Sequence, residues 1–334
     1  MAAPHVHFET RHDRPSVFMI TRELIGAARR RNKVPNTVKS TLGTDLENLA
    51  PLATATAFVS SNDVVTDPRF PLRDLASVAP HLKLIHITGA GIEPLLPLDW
   101  LPKGVALTNN SGVHMQKTAE FAAMALLMLN ARMPQIVANQ SKSHWAQIFT
   151  PSISGRTVVI IGLGDMGGAA AREAKRMGLK VIGIRRRAKP HRYADEVLGT
   201  RHLPRALRQA DFIFVAAPLT PASRHLLGKK MLGCAKPGAG LINVGRAGVV
   251  DYDALRAALK SGALSGAILD VFDPEPLPSS SPLWRTPNLV LMPHCSSDDL
   301  DRYMPLTLDL VFDNLQRVTR KRPLRNRVDP KRGY

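Results

Sequence analysis

The segment from Thr157 to Ile184 constrains this chain more than any other. An apolar run, Thr157 to Ile161, leads directly into Gly162-Leu163-Gly164-Asp165-Met166-Gly167, and a helix-like stretch from Asp165 to Met177 comes after it. Gly178 closes that helix, and a second apolar run, Lys180 to Ile184, comes next. In the order strand, turn, helix, strand, the three glycines serve separate purposes, namely the tight turn, the close approach of backbone to a diphosphate, and the near contact of helix and strand. The amides at the helix start, around Asp165 and Met166, face such a diphosphate with the positive end of the helix dipole behind them. Gly162, Gly164, Asp165, Met166 and Gly167 are therefore the candidate contacts to a dinucleotide. An ordinary strand-to-helix turn is the competing explanation, and the correct order of all four elements disfavours it.

The residues just beyond the second strand select between the nicotinamide dinucleotides. A site for NAD places an acid ~20 residues on from the glycines, where it bonds the ribose hydroxyls. Arg185-Arg186-Arg187 stands there instead. A guanidinium is a planar multi-donor group suited to phosphate, whereas a carboxylate repels the 2′-phosphate that distinguishes NADP from NAD. Arg185 and Arg186 thus point to NADP; the alternative is a solvated basic turn, which charge runs usually are. Lys and Arg number 45 against 27 Asp and Glu, a formal charge of +18 that draws anionic ligands in general.

The alternation of short apolar runs and helix-like stretches extends through the chain and implies parallel sheets with helices on both faces. In the second half, strands are expected at 157–161, 180–184, 212–216, 240–244, 267–271 and 289–292, the strand count of a full dinucleotide-binding sheet. In the first third, runs at 17–20, 57–60, 82–88 and 105–108 alternate with helical stretches at 21–31, 44–52 and 71–79. The second of these opens with the capping box Thr44-Asp45-Leu46-Glu47. Phe121, Met124, Leu127 and Met128 recur at helical spacing in one long helix over 117–132, while 134–154 is polar and reads as irregular. A helix-like stretch at 298–318 and a basic tail end the chain. At 334 residues, the length is about twice that of one ~100–200-residue domain, so two domains are expected.

Hydrophobic residues at 44% and charged residues at 22% exclude a disordered or fibrous chain. Cys234 and Cys295 are too few for a disulfide framework and lack the paired spacing of a zinc site, which favours a reducing, cytoplasmic setting. The longest apolar segment, 121–129, is about half of the ~20 residues that a membrane-spanning helix requires, and Met1 to Arg14 holds no run resembling a signal peptide. No metal is expected: His5, His7 and His12 lack helical ligand spacing, and His191 and His202 lack neighbouring ligands of the right type.

Further motifs occur in fixed order: Ala217-Pro218-Leu219-Thr220-Pro221, then Asn243-Val244-Gly245-Arg246-Ala247-Gly248-Val249-Val250-Asp251, then Leu269-Asp270-Val271-Phe272-Asp273-Pro274-Glu275-Pro276-Leu277-Pro278, and last Pro293-His294. Through them the chain resembles the D-2-hydroxyacid dehydrogenase family over nearly its whole length. The resemblance implies an α/β fold of two doubly wound parallel-sheet domains with a catalytic cleft between them. One is a Rossmann dinucleotide-binding domain, residues 113–295. The other is a discontinuous flavodoxin-like substrate domain built from residues 1–112 and the returning C-terminal helix and basic tail, 296–334.

The resemblance also implies roles. Arg246 holds the substrate carboxylate and polarises its keto oxygen, His294 donates the proton, and Glu275 orients and supports the imidazolium. Asp270 matches the aspartate that contacts the nicotinamide carboxamide, and Pro218 and Val244 match the lining around the cofactor. Thr88-Gly89-Ala90-Gly91-Ile92-Glu93 matches the loop whose amides receive the substrate carboxylate, with Ala90 and Gly91 the candidates. Elementary chemistry agrees, since a planar guanidinium suits a carboxylate and histidine is the side chain that exchanges protons near neutrality. Glu93, where aspartate is frequent, and Cys295-Ser296-Ser297-Asp298, in place of an apolar-glycine pattern, depart from the family.

The implied reaction is reduction of a small 2-keto acid, of the glyoxylate or hydroxypyruvate class, to the D-2-hydroxy acid by hydride from NADPH. Bulkier aryl or branched keto acids are the runner-up. Formate dehydrogenases carry an amide where Glu275 stands, and phosphoglycerate dehydrogenases usually add a regulatory domain for which no length remains. From another class comes a nucleotide-sensing binding protein similar to the family's C-terminal-binding transcriptional corepressors. Basic clusters at 29–33 and 317–334 keep it in view, but no aromatic stacking series or base-reading helix accompanies them, so specific nucleic-acid binding is not expected. The helix at 117–132 and the arm after it correspond to the region through which family members pair, which implies a homodimer.

Overall fold

The computed structural model describes residues 4–330. Among them, twelve strands form two sheets whose strand pairings are all parallel. The chain divides into two compact units: residues up to Val113 with those from Asp298 onward make one, and His114–Ser297 the other.

In the first unit, β1 (His5–Thr10), β2 (Lys39–Thr44), β3 (Ala57–Ser60), β4 (Leu84–Ile87) and β5 (Ala106–Thr108) lie in the order β2-β1-β3-β4-β5, the flavodoxin-like arrangement. One face carries the helices Arg22–Arg31 and Tyr303–Thr319 over Val6, Phe8, Val59 and Leu84. Thr21 caps the first helix by accepting from Leu24 N, and Arg31 joins it to the second through Asp309, with Nη2 to Oδ1 at 2.9 Å. The other face buries Phe58, Ile85, Ile87 and Leu107 beneath short helical turns.

Strand β1 hides from a reading by apolar runs because its alternate residues are His5, His7 and Glu9. All three are buried, and hydrogen bonds through Thr41 link His5 to His7. His5 Nδ1 lies 2.9 Å from Thr54 Oγ1, His5 Nε2 2.8 Å and His7 Nδ1 2.9 Å from Thr41 Oγ1, and His7 Nε2 3.2 Å from Glu9 Oε2. Gly43 opposite leaves room for this carboxylate, since a Cβ there would stand 2.1 Å from Glu9 Oε2 and displace it. The same carboxylate undoes the helix expected at 44–52. Glu9 Oε1 accepts from Leu46 N at 2.8 Å, Asp45 bonds His12, and both Asp45 and Leu46 take left-handed conformations at φ 57° and 62°. Thr44 ends β2, and only a 3-10 turn, Ala50–Thr54, comes after it. The strand expected at 17–20 is likewise a 3-10 turn, Ser16–Phe18, behind Pro15.

The second unit holds β6 (Thr157–Ile161), β7 (Lys180–Ile184), β8 (Glu196–Leu198), β9 (Phe212–Val215), β10 (Ala239–Asn243), β11 (Leu264–Leu269) and β12 (Leu289–Leu291), in the order β12-β11-β10-β9-β6-β7-β8. Counted within the unit, this is the Rossmann order 3-2-1-4-5-6 with a further strand at one edge. Its strands are near-continuous apolar runs because helices cover both faces. The helices Met115–Asn130 and Asp165–Arg176 pack together through Ala122, Ala125, Ala170, Ala171 and Ala174, small residues that permit close approach. Met124 and Leu127 of the expected apolar stripe face outward instead, at 41% and 48% exposure. Residues expected to be irregular include a helix, Met133–Gln140, with Pro134 in its first turn, where a missing N–H costs nothing. Among the described residues, no single helix is long and apolar enough to cross a membrane.

Candidate active site

In an open parallel sheet, ligands bind beyond the carboxyl ends of the strands, where the strand order reverses. Here that point lies between β6 and β9. Gly162, directly after β6, adopts φ 94°, and a Cβ on it would stand 2.8 Å from the backbone of Ala216 and Ala217. A Cβ on Gly167 would collide with the Gly162 carbonyl at 1.8 Å. Gly164 differs from both. It is exposed, precedes the helix Asp165–Arg176, and a Cβ there would meet no atom within 4 Å. The fold itself does not require glycine at 164, so the open space above it suits an approaching diphosphate.

Arg185 leaves the end of β7 half-buried, its N–H bonded to Leu198 O at 3.1 Å, and Arg186 beside it is exposed. His191 joins this corner. A Cβ on Gly168, in the first turn of the helix, would lie 3.1 Å from His191 Nε2. Burial, then the charges of Arg185 and Arg192, lower the His191 pKa. Pro218 O accepts from Ser223 Oγ at 2.7 Å, and the buried Val244 extends β10 by donating to Val215 O at 3.0 Å.

The adjacent parallel strands β10, β11 and β12 deliver Arg246, Asp270 and His294 to the same edge of the sheet. Arg246 has an extended backbone, is half-buried, and donates from Nη1 to Gly245 O at 2.8 Å. Asn243 secures its loop, donating to Arg246 O at 3.2 Å and accepting from Gly245 N at 3.1 Å. The Tyr252 hydroxyl takes a second bond from Asn243 Nδ2 at 3.1 Å and donates to Val271 O at 2.7 Å. It thereby ties the loop of Arg246 to the loop that carries Glu275. Burial raises the Tyr252 pKa well above the usual phenol range and keeps this donor protonated.

Glu275 accepts from Phe272 N through Oε1 at 2.7 Å and meets His294 Nδ1 through Oε2 at 2.7 Å. With Nδ1 bound to the carboxylate, Nε2 is the nitrogen that can hand a proton to a reactant. His294 itself sits at φ 50°, a left-handed conformation uncommon outside glycine.

Asp270 holds the loop beyond β12. Its carboxylate is buried and accepts from Cys295 N at 3.0 Å, Ser296 N at 3.1 Å and Ser296 Oγ at 2.6 Å. Burial raises its pKa, against the opposing pull of the Ser296 hydroxyl and the His294 charge. In the first unit, Ala90 and Gly91 are half-buried in the loop after β4. Among the described residues, no metal-ligating cluster occurs.

The sequence profile of the D-isomer specific 2-hydroxyacid dehydrogenase NAD binding domain matches residues 123–296. This chain belongs to the D-isomer specific 2-hydroxyacid dehydrogenase family. A glyoxylate/hydroxypyruvate reductase B of Pectobacterium carotovorum is 34% identical over 254 residues, 74% of this chain and 77% of that protein. A glyoxylate reductase of Thermococcus litoralis is 34% identical over 236 residues, 67% of this chain and 70% of that one. Among solved structures, a D-isomer specific 2-hydroxyacid dehydrogenase of Xanthobacter autotrophicus Py2, in complex with NADPH and MES, aligns at TM-score 0.83 and 28% identity, covering 100% of both chains. An NADPH-dependent glyoxylate/hydroxypyruvate reductase of Sinorhizobium meliloti, in complex with NADP and sulfate, aligns at TM-score 0.79 and 26% identity, covering 99% of this chain and 100% of that one.

Asn243, Tyr252 and Ser296, which brace the segments of the candidate residues, and His191, which stands beside Gly168, are residues that sequence reasoning missed. Asn243 and Ser296 stood inside noticed motifs, and the departure at 295–298 was the signal for Ser296. Tyr252 and His191 act through tertiary contacts that no local pattern announces. The dehydrogenase uses a nicotinamide cofactor and acts on a small molecule.

Proposed function

We propose that this dehydrogenase reduces a small 2-keto acid of the glyoxylate or hydroxypyruvate class to the D-2-hydroxy acid, with NADPH preferred over NADH and residues 114–297 serving as its cofactor domain. The observation that carries this reading is the His294–Glu275 pair, 2.7 Å apart at the sheet edge where Gly162 opens the dinucleotide turn. Bound NADPH supplies the hydride. Gly162, Gly164, Gly167 and the helix start at Asp165 and Met166 would hold its diphosphate, Arg185 and Arg186 its 2′-phosphate, and Pro218, Val244 and Asp270 the nicotinamide end. Arg246 clamps the substrate carboxylate and neutralises charge growing on the keto oxygen. His294 delivers its Nε2 proton to that oxygen, while Glu275 fixes the ring and offsets its charge. The N–H groups of Ala90 and Gly91, in the unit that serves as substrate domain, also receive the carboxylate.

Support for NADPH comes from the cationic corner at Arg185 and Arg186 and from the relative whose name includes NADPH dependence. Exposed Leu127, Val137, Trp145 and Phe149, the last two at 90% and 87%, favour pairing with a second copy of this chain. Steady-state kinetics with NADPH and NADH against glyoxylate, hydroxypyruvate and phenylpyruvate test the proposal. Replacing both Arg185 and Arg186 by alanine is expected to raise KM for NADPH by about 10-fold or more and leave NADH nearly unaffected. A native preference for NADH overturns the cofactor assignment, and faster turnover of phenylpyruvate than of glyoxylate overturns the small-substrate assignment.

A further inference from the structure

The loop after β4 has an unusual distribution of hydrogen bonds, all within one unit. Each of its four carbonyls is taken by a different donor. Thr88 O accepts from the Tyr303 hydroxyl at 2.5 Å, Gly89 O from Asn110 N at 3.0 Å, Ala90 O from Asn109 Nδ2 at 2.7 Å, and Gly91 O from Asn62 Nδ2 at 2.8 Å. In a trans peptide the C=O and N–H point in opposite directions, so a donor on the carbonyl fixes where the next residue's N–H faces. Four consecutive planes are set in this way. Among the described residues, nothing accepts from the N–H of Gly89, Ala90, Gly91 or Ile92. Successive N–H groups without acceptors form a concavity for an anion, and carbonyl oxygens left loose among them would oppose it.

Two of the four donors are side chains of asparagine, and each is held to one carbonyl. Asn62 Nδ2 bonds Gly91 O, while Asn62 Oδ1 is buried and has no donor among the described residues. Asn109 is buried and is held in turn by Ser111 N on its Oδ1 at 3.2 Å, which aims its Nδ2 at Ala90 O. Asparagine supplies a neutral donor here. Aspartate would set an acceptor against a carbonyl.

We infer that Asn62 and Asn109 are positioning residues that turn the Ala90 and Gly91 carbonyls away and present an all-donor face to the carboxylate of the keto acid. This inference rests on the keto-acid reductase reading above. Neither asparagine touches substrate, and their effect is confined to recognition of the carboxylate, apart from hydride or proton transfer.

The test compares glyoxylate with glycolaldehyde, which offers a carbonyl without a carboxylate, in the wild type and in Asn62→Ala, Asn109→Ala and the isosteric Asn62→Asp. The expected result is a fall of about 10-fold or more in kcat/KM for glyoxylate, carried by KM, with kcat/KM for glycolaldehyde and KM for NADPH unchanged. Asn62→Asp keeps the size of the side chain and is expected to show the same selective loss. Equal losses on both substrates, or no loss on glyoxylate, overturn the positioning role while leaving the keto-acid reading intact. A wild-type enzyme that does not prefer glyoxylate over glycolaldehyde overturns the keto-acid reading, and the inference with it.

Discussion

Ser296→Ala offers the sharpest test of how the site is held. The wild-type hydroxyl donates to the Asp270 carboxylate at 2.6 Å, inside a buried pocket where the other donors are the amides of Cys295 and Ser296. A hydrogen bond to a charged group contributes about 1.5–3 kcal/mol, so the variant is expected to lose roughly 2 kcal/mol of stability at pH 7. The sign of the pH dependence comes from burial. Asp270 has its pKa raised above the ordinary carboxylate value of 3.8, so the folded state holds this proton more firmly than the unfolded chain. Ionised Asp270 therefore costs stability, and the cost appears as pH rises from 3.8 through the raised value. Removing a donor to the ionised form increases that cost. The deficit of the variant is expected to be largest at neutral pH and to shrink in acid, where Asp270 is protonated in both proteins. Urea unfolding of both proteins between pH 4 and 7 measures it. The next residues after His294 are those that Asp270 holds, so kcat is expected to fall while KM for NADPH stays constant. A deficit independent of pH, or a variant as stable as the wild type at pH 7, refutes the reasoning.

Three further outcomes are expected. His294→Ala is expected to lower kcat by roughly 10²–10⁴, read by NADPH oxidation at saturating substrate, because the proposed general acid is gone. Gly164→Val leaves the melting temperature nearly unchanged but weakens NADPH binding in a fluorescence titration, whereas Gly167→Ala lowers the melting temperature, since its Cβ collides with the Gly162 carbonyl. Burial pushes the pKa of the wholly buried His86 down to about 4 from 6.5. The unfolded chain binds the extra proton between those values, so stability falls as pH drops from 6.5 toward 4, by roughly 3 kcal/mol in all. His86→Gln flattens that part of the stability–pH curve, as measured by urea unfolding.

The dinucleotide-binding unit was legible because its chemistry is local. β6, its glycine turn and the helix after it are contiguous, and strands such as Phe212–Val215 are buried on both faces and read as plain apolar runs. Arg246, Glu275 and His294 lie in motifs whose neighbours in sequence are also their neighbours in space. The other unit was less legible for a definite reason. β1 buries His5, His7 and Glu9, so its pattern imitates a polar surface, and the capping box at Thr44 was outcompeted by Glu9, a partner distant in sequence. Asn62 and Asn109 were silent for the same reason, since they reach Gly91 and Ala90 only after the sheet has formed.

The Tyr252 phenol imposes a rule on anyone who would redesign this enzyme. Because one oxygen atom staples the loop of Arg246 to the loop of Glu275, reshaping either segment transmits to the other.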